Sequence, residues 1–491
     1  MTVFVASGQF AALTSWNLRN NTASLSLPIG SAELEFLSPS TFRLQRCFTD
    51  NCVSRKPYSA EAVAFTFSED DKAITFRTAY IAVHLDKSNA VVCVDSLKGK
   101  RLLSELPLSP GGAYIRVAAG EEKLYGLGSR SSTPLDLRGQ TIETNRALLT
   151  SSAGFGQFFS VPTSYTFDLA RSHRSQIHVR ARVADRFEYF FYYGPSPKEI
   201  LEEHLEVTGA IPVEPFHVGI LRESQLPRHA TILPRLSLAD SVAQLQHAAF
   251  SAVLAPAVDL GRLREPLAAY FPLAFTSAPE SLPSPIRRIR RSLEPYLYTY
   301  LKEARDRGVP ILRPMAMQYH SDPTAVSRTS QFMLGDEMLL TSIRELYLPQ
   351  GLWTNLSTNG IHRGRQVLYL SDSPEPQIFA HNGTIVPLLR PDNVIELHYL
   401  PRLGAEFFLA EPGDEHPTQV HAAPAGDILR LEIEPRATHE FEWIIHHVSP
   451  VEKIEPRIPY RYDEARRNLH IRVKAPADAD IILNISLKEP L

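Results

Sequence analysis

The chain has 491 residues, 44% of them hydrophobic and 21% charged, with a formal net charge of −3. That length accommodates about two to four domains with separate cores. The near-neutral balance gives no electrostatic footprint for nucleic acid, and no apolar run reaches the ~20 residues a membrane-spanning helix needs. The three cysteines, Cys47, Cys52 and Cys93, are odd in number and sparse. They argue against a disulfide framework and fit a reducing compartment. The opening MTVFVASGQFAALTSW lacks the basic flank and apolar core of an export signal, so a cytoplasmic protein is expected.

Residues 1 to about 195 pattern as strands. In DKAITFRTAYIAVHLDKSNAVVCVD, Ile74 and Phe76, then Ala79, Ile81, Val83 and Leu85, alternate with polar residues. SAELEFLS, AVAFTFSED and RFEYFFYYG continue the theme without intervening helices, which predicts a large β-sandwich. The aromatic run 187–193 reads as sandwich core or, alternatively, as a sugar platform.

The pattern then changes. In SPKEILEEHLEVTG, Ser196 is placed as N-cap, Pro197 opens the helix, Glu199 completes a capping box and Gly209 ends it. HVGIL (217–221) follows as a buried strand, then a helix capped by Ser237 with Asp240, then the strand SAVLAPAVD (251–259). A long helix opens at Ser284-Pro285, bends at Pro295 and ends at Gly308, and VPILRPMAMQY (309–319) is a third strand. Within that helix, IRRIRR (286–291) reads as a solvated face or a docking patch. From about residue 330 short strands return: EMLLTSI, RELYLP, QVLYLS, GTIVPLL, AEFFLA and ILRLEI. A proline-containing stretch near 450 suggests a last small β unit.

Five segments in order carry a family resemblance: YGLGSRSSTPLDLRG, YYGPSPKEILEEHLEVTG, RRSLEPYLYTYLKEARDRGVPILRPMAMQYHSDPTAVSRTSQFMLGDEMLL, YLPQGLWTNLSTNG and HNGTIVPLL. They resemble glycoside hydrolase family 31, the α-glucosidases and α-xylosidases. The resemblance implies an N-terminal β-sandwich, a (β/α)₈ barrel and C-terminal β-domains. Such a barrel needs ~200 residues or more, whereas the α/β stretch here runs only from His217 to His320. HVGIL resembles the family's first barrel strand, SAVLAPAVD its second and VPILRPMAMQY its eighth. The expected fold is therefore mainly β with a reduced α/β part. It divides into a sandwich at 1–210, a truncated barrel remnant at 211–325 with strands in the order 8-1-2, a proximal β-domain at 326–447 and a distal β unit at 448–491.

Retaining glycoside hydrolysis needs two carboxyl groups about 5 Å apart. The family's Trp-x-Asp-Met-Asn-Glu and Trp-x-Gly-Asp motifs are absent, since the tryptophans are Trp16, Trp353 and Trp443 and none lies in the barrel region. The family's Arg-Asn-His falls on Phe275-Thr276-Ser277, its Asn-x-Asp on Asn145-Arg146-Ala147, and the acidic residue after YGLG is Ser129. What persists is Asp259, matching a sugar-hydroxyl ligand, with Arg222 a second candidate substrate contact. Glu223, Asp259 and His320 each end a strand of the 8-1-2 arc, where neighbours lie about 4.8 Å apart, so a rebuilt acid–base site on these three is one reading. Polar loop-face residues, with Glu223 paired to Arg222 or Arg264, is the other. CFTDNC lacks a second Cys/His pair for zinc. No G-x-S-x-G or phosphate loop occurs, and YGLGSR has too few glycines for a dinucleotide. No metal and no cofactor are expected. His446 and His447 read as a strand end.

Scaffold motifs kept beside lost catalytic ones imply a non-catalytic homologue that binds an oligosaccharide or α-glycoside, or acts as a scaffold or regulatory subunit. Two alternatives stay open. One is a glycosidase-type hydrolase with the rebuilt site. The other is an interaction protein in which a second copy or another protein covers the open barrel edges.

Overall fold

The computed structural model describes residues 12–490 except 29, 49–61, 108–112, 129–132, 146, 183–185, 210–218, 223–225, 227–230, 233–236, 252–255, 414 and 478. The chain forms two units, Met1–Ala210 with His247–Val253, and Ile211–Gln246 with Leu254–Leu491.

The first unit is a sandwich of an eight-stranded and a nine-stranded antiparallel sheet. Strict alternation drives it: in Ala73–Arg77 the side chains of Ile74 and Phe76 go inward and their neighbours do not. Each such burial contributes ~1.5–3 kcal/mol. Arg186–Tyr193 pairs between Thr41–Cys47 and Phe155–Phe159. Tyr189, Phe190, Phe191 and Tyr192 are wholly buried, so this run is core and not a sugar platform. The helix Pro197–Thr208 starts as expected, with Ser196 accepting from the Glu199 backbone and the Glu199 carboxylate accepting from the Ser196 backbone. Cys93 is free, but Cys47 is disulfide-bonded. An odd count leaves room for one bridge beside one thiol, and the argument for a reducing compartment falls with it.

In the second unit a parallel sheet runs Ile220–Leu221, Leu273–Phe275, Pro256–Asp259, Thr231–Ile232. This corrects the expected 8-1-2 order. Leu273–Phe275, a three-residue run after Pro272, separates the two strands expected to be neighbours. The third expected strand is elsewhere. Leu312–Pro314 pairs antiparallel with Gln331–Leu334, and Met315–Gln318 is helical, because Pro314 has no N–H to continue a ladder and sits at the helix N-cap. The long helix divides into Ser284–Ser292 and Glu294–Arg307. Pro295 has no N–H to give to the Arg291 carbonyl, which breaks the ladder where the bend was expected.

The IRRIRR face is not uniformly solvated. Arg288 meets Glu375 and Arg291 bonds Asn393 at the surface, whereas Arg290 is buried. It donates to the carbonyls of Ala269, Phe271 and Pro272. Burial, opposed by Glu294, pulls its pKa down to about 9, so it stays charged at neutral pH. It fastens the turn that feeds Leu273–Phe275, the strand between the two candidate binding residues.

The rest of the unit is a six-stranded antiparallel sheet, a two-stranded ribbon and two five-stranded sheets. The segment from 448 onward was expected to stand apart and does not. Asn468–Ala475 pairs with His439–Ile445, and Ile481–Leu487 pairs with Ile428–Glu434. Leu469, Ile471, Leu483 and Ile485 are buried in the same core as Trp443 and Leu431.

Candidate functional site

The C-terminal edge of the parallel sheet holds the candidate. Leu221 and Asp259 stand in register with Phe275, one on each side. Their strands are thus about two strand spacings apart, ~10 Å. The backbone of Thr276 donates to the Leu221 carbonyl at 2.9 Å and Leu260 donates to the Phe275 carbonyl at 2.8 Å, so the edge is fixed by main-chain bonds. Thr276 is buried, and its hydroxyl would lie 2.7 Å from a Cβ on Gly261. The residue after Asp259-Leu260 must therefore be small for the turn to fold back.

That turn engages Asp259 on both oxygens. Oδ1 accepts from the Gly261 amide at 2.9 Å, and Oδ2 faces Arg262 Nε at 3.0 Å. Its carbonyl accepts from Arg262 and Leu263. Arg222 pairs with Glu280 at 3.4 Å, both largely exposed, a contact worth at most ~1 kcal/mol. Glu280 is a carboxylate that the sequence did not flag. It sits on the short turn Pro279–Ser281, which has no periodic signature. Glu223 lies outside the described residues. His320 is exposed, in the turn between Met315–Gln318 and Pro323–Val326. The strand-neighbour reason for bringing it to Asp259 fails, because Leu312–Pro314 belongs to a different sheet. Of the family-matched positions, Phe275 and Thr276 are placed here, while Ser129 and Arg146 lie outside the described residues.

Among the described residues no group of three His, Cys, Asp or Glu is arranged to hold a metal ion. As it stands, the edge can accept hydrogen bonds at Asp259 and donate them at Arg222, which suits a polyol. The strongly perturbed carboxyl of this unit, Glu337, lies in the core under the Tyr296 and Tyr300 hydroxyls. His446 is buried beyond the end of His439–Ile445, bonded to Asn359 and His398.

Residues 308–386 match the family described as Glycosyl hydrolase family 31 C-terminal domain. Over that stretch the chain is similar to glycoside hydrolase family 31. It is 37% identical over 111 residues to human neutral alpha-glucosidase AB, covering 20% of this chain and 11% of that one. To an isomaltosyltransferase of Sporosarcina globispora it is 33% identical over 108 residues, 20% of this chain and 10% of that one. The matched stretch thus spans about a tenth of these curated relatives. Among solved structures, a cycloalternan-forming enzyme of Listeria monocytogenes in complex with a pentasaccharide substrate superposes with a TM-score of 0.82 at 13% identity, over 97% of this chain and 77% of that one. A Flavobacterium johnsoniae family 31 dextranase complexed with isomaltotriose gives 0.79 at 12% identity, over 98% and 100%. At these identities the likeness is one of fold. Among the described residues no helix is long and apolar enough to cross a membrane.

Proposed function

We propose that this chain is a non-catalytic family 31 relative that binds an oligosaccharide or α-glycoside, or serves as a scaffold or regulatory subunit for one that does. In this reading the four-stranded parallel sheet is what remains of the barrel. Asp259 and Arg222 are the residues that face a sugar hydroxyl. The observation that carries the reading is the state of Asp259: both of its oxygens are engaged by its own turn, and the family's nucleophile and acid motifs are missing from the sequence. A carboxylate held this way is a hydrogen-bond acceptor, not a poised nucleophile. The edge-pairing alternative draws less support, since each flanking strand is two residues long and offers little ladder to a partner.

The test is turnover of chromogenic α-glucoside, α-xyloside and α-galactoside by the purified chain beside Asp259→Ala. The expected result is release no faster than in buffer for both proteins, with oligosaccharide binding weakened in the variant. Turnover that Asp259→Ala abolishes would overturn the reading in favour of a rebuilt hydrolase.

A further inference from the structure

A surface hollow of the second unit, about 580 Å³ in volume, is lined by Arg363, Arg365 and Arg402 together with Gln350, Gly351 and Leu352. That volume lies within the ~300–1,000 Å³ of small-molecule sites. Each arginine arrives differently. Arg363 ends the strand Ile361–Arg363, opposite Leu352. Arg365 follows in the left-handed region, at φ 59, its amide donating to the Leu348 carbonyl and its guanidinium to Gln350 Oε1 at 2.7 Å. Arg402 lies just past the strand Ile395–Leu400.

Glycine clears the hollow. A Cβ on Gly364 would lie 1.9 Å from the Pro349 carbonyl oxygen. On Gly351, at φ 138, it would lie 2.5 Å from His381 Nε2 and 3.6 Å from the Arg402 guanidinium. Any side chain at either position would displace the wall, so the backbone is bare where the arginines gather.

Among the described residues, Arg363 and Arg402 have no ion-pair partner, and the bonded partner of the Arg365 side chain is the neutral Gln350. Several other arginines of the unit do meet carboxylates: Arg288 with Glu375, Arg313 with Glu303, Arg328 with Glu345, Arg390 with Glu442. Burial holds the His381 pKa below its ordinary value, and the Arg402 charge adds to the shift. Like charges gathered without a counter-ion repel. Guanidinium forks in that arrangement suit tetrahedral oxyanions.

We propose that this hollow binds a multivalent oxyanion, a phosphate or sulfate group, either free or carried on a small molecule such as a sugar. Its chemistry is independent of Asp259, which lies in another sheet of the unit.

The test is calorimetric titration of the full chain with inorganic phosphate and with sulfate at low ionic strength. Glucose 6-phosphate and glucose are run in parallel. Saturable phosphate binding that weakens with added chloride is expected. Arg363→Ala/Arg402→Ala should lower the affinity on the order of tenfold or more, and Arg363→Lys/Arg402→Lys should restore part of it. All three side chains are exposed, so the melting temperature of these variants should match the parent and separates site loss from misfolding. Glucose 6-phosphate binding more tightly than phosphate would mark the sugar-borne group as the ligand, and equal affinity would mark the free ion. No saturable binding of either anion, or equal binding by the double alanine variant, overturns the proposal.

Discussion

Replacing Glu337 by glutamine should stabilise the second unit at pH 8 and flatten its response to pH. Glu337 Oε2 lies 2.6 Å from the Tyr296 hydroxyl and 2.7 Å from that of Tyr300, while Tyr296 also reaches the Leu334 carbonyl at 2.5 Å. Two hydroxyl protons cannot fill three such contacts, and a protonated carboxyl supplies the third. Burial pushes the carboxyl from 4.5 up to about 7; the tyrosine hydroxyls oppose the rise, Asp336 adds to it and Arg313 offsets it. The folded state therefore holds this proton more tightly than the unfolded chain. The stabilisation it brings is complete below about pH 4.5 and is lost as pH rises through 7, to a total of roughly 3 kcal/mol. Glu337→Gln removes that loss, so the variant should match the parent near pH 4.5 and exceed it by up to about 3 kcal/mol at pH 8. Urea unfolding followed by tryptophan fluorescence at pH 5, 6, 7 and 8 reads this, because Trp353 and Trp443 are both buried in this unit. Parallel pH curves for parent and variant, or a variant weaker at every pH, would refute the argument.

The first unit should respond to pH in the opposite sense. His204 is buried against Tyr192 and Phe158, and burial lowers its pKa to about 4. Its contribution is whole above about pH 6.5 and lost as pH falls towards 4, to roughly 3 kcal/mol. The hydrogen-exchange protection factors of the amides in Pro197–Thr208 should fall over that window, and His204→Phe should remove the fall. Ser196→Ala deletes one half of the capping box at the start of the same helix and should cost about 1 kcal/mol, measured by exchange of the same amides at neutral pH.

Local chemistry was legible in the sequence. The Ser196–Pro197–Glu199 start, the Ser237–Asp240 cap and the inward set Ile74, Phe76, Ile81, Val83 and Leu85 each depend on neighbours within a few residues and are present. Ala79, expected inward with them, instead lies exposed in the bend between the two strands. What escaped depended on partners far along the chain. The place of Leu273–Phe275 between the strands of Leu221 and Asp259 is decided by the buried Arg290 anchoring its lead-in, and a three-residue strand after a proline has no pattern to read. Leu312–Pro314 was expected in the parallel arc because VPILRPMAMQY resembles the family's eighth barrel strand, yet Pro314 ends it and Gln331–Leu334 takes its edge. At the candidate site Asp259 and Arg222 were found at strand ends, but Glu280 was not, and the hold of Arg262 on Asp259 is a side-chain geometry that spacing does not encode. Likewise Glu337 was legible only as the first residue of the strand EMLLTSI, and its burial depends on tyrosines some forty residues upstream that close over it.

The weave of the last strands bears on how the protein is made. Asn468–Ala475 and Ile481–Leu487 fill positions inside two sheets whose other members were synthesised up to a hundred residues earlier. Until those strands leave the ribosome, Ile428–Glu434 and His439–Ile445 each wait with one edge bare. At about 5–20 residues per second, that exposure lasts several seconds for every molecule. The sandwich carries the same exposure for longer, since Thr41–Cys47 waits about 140 residues for Arg186–Tyr193. A chaperone that shields open edges should therefore meet both halves of the nascent chain.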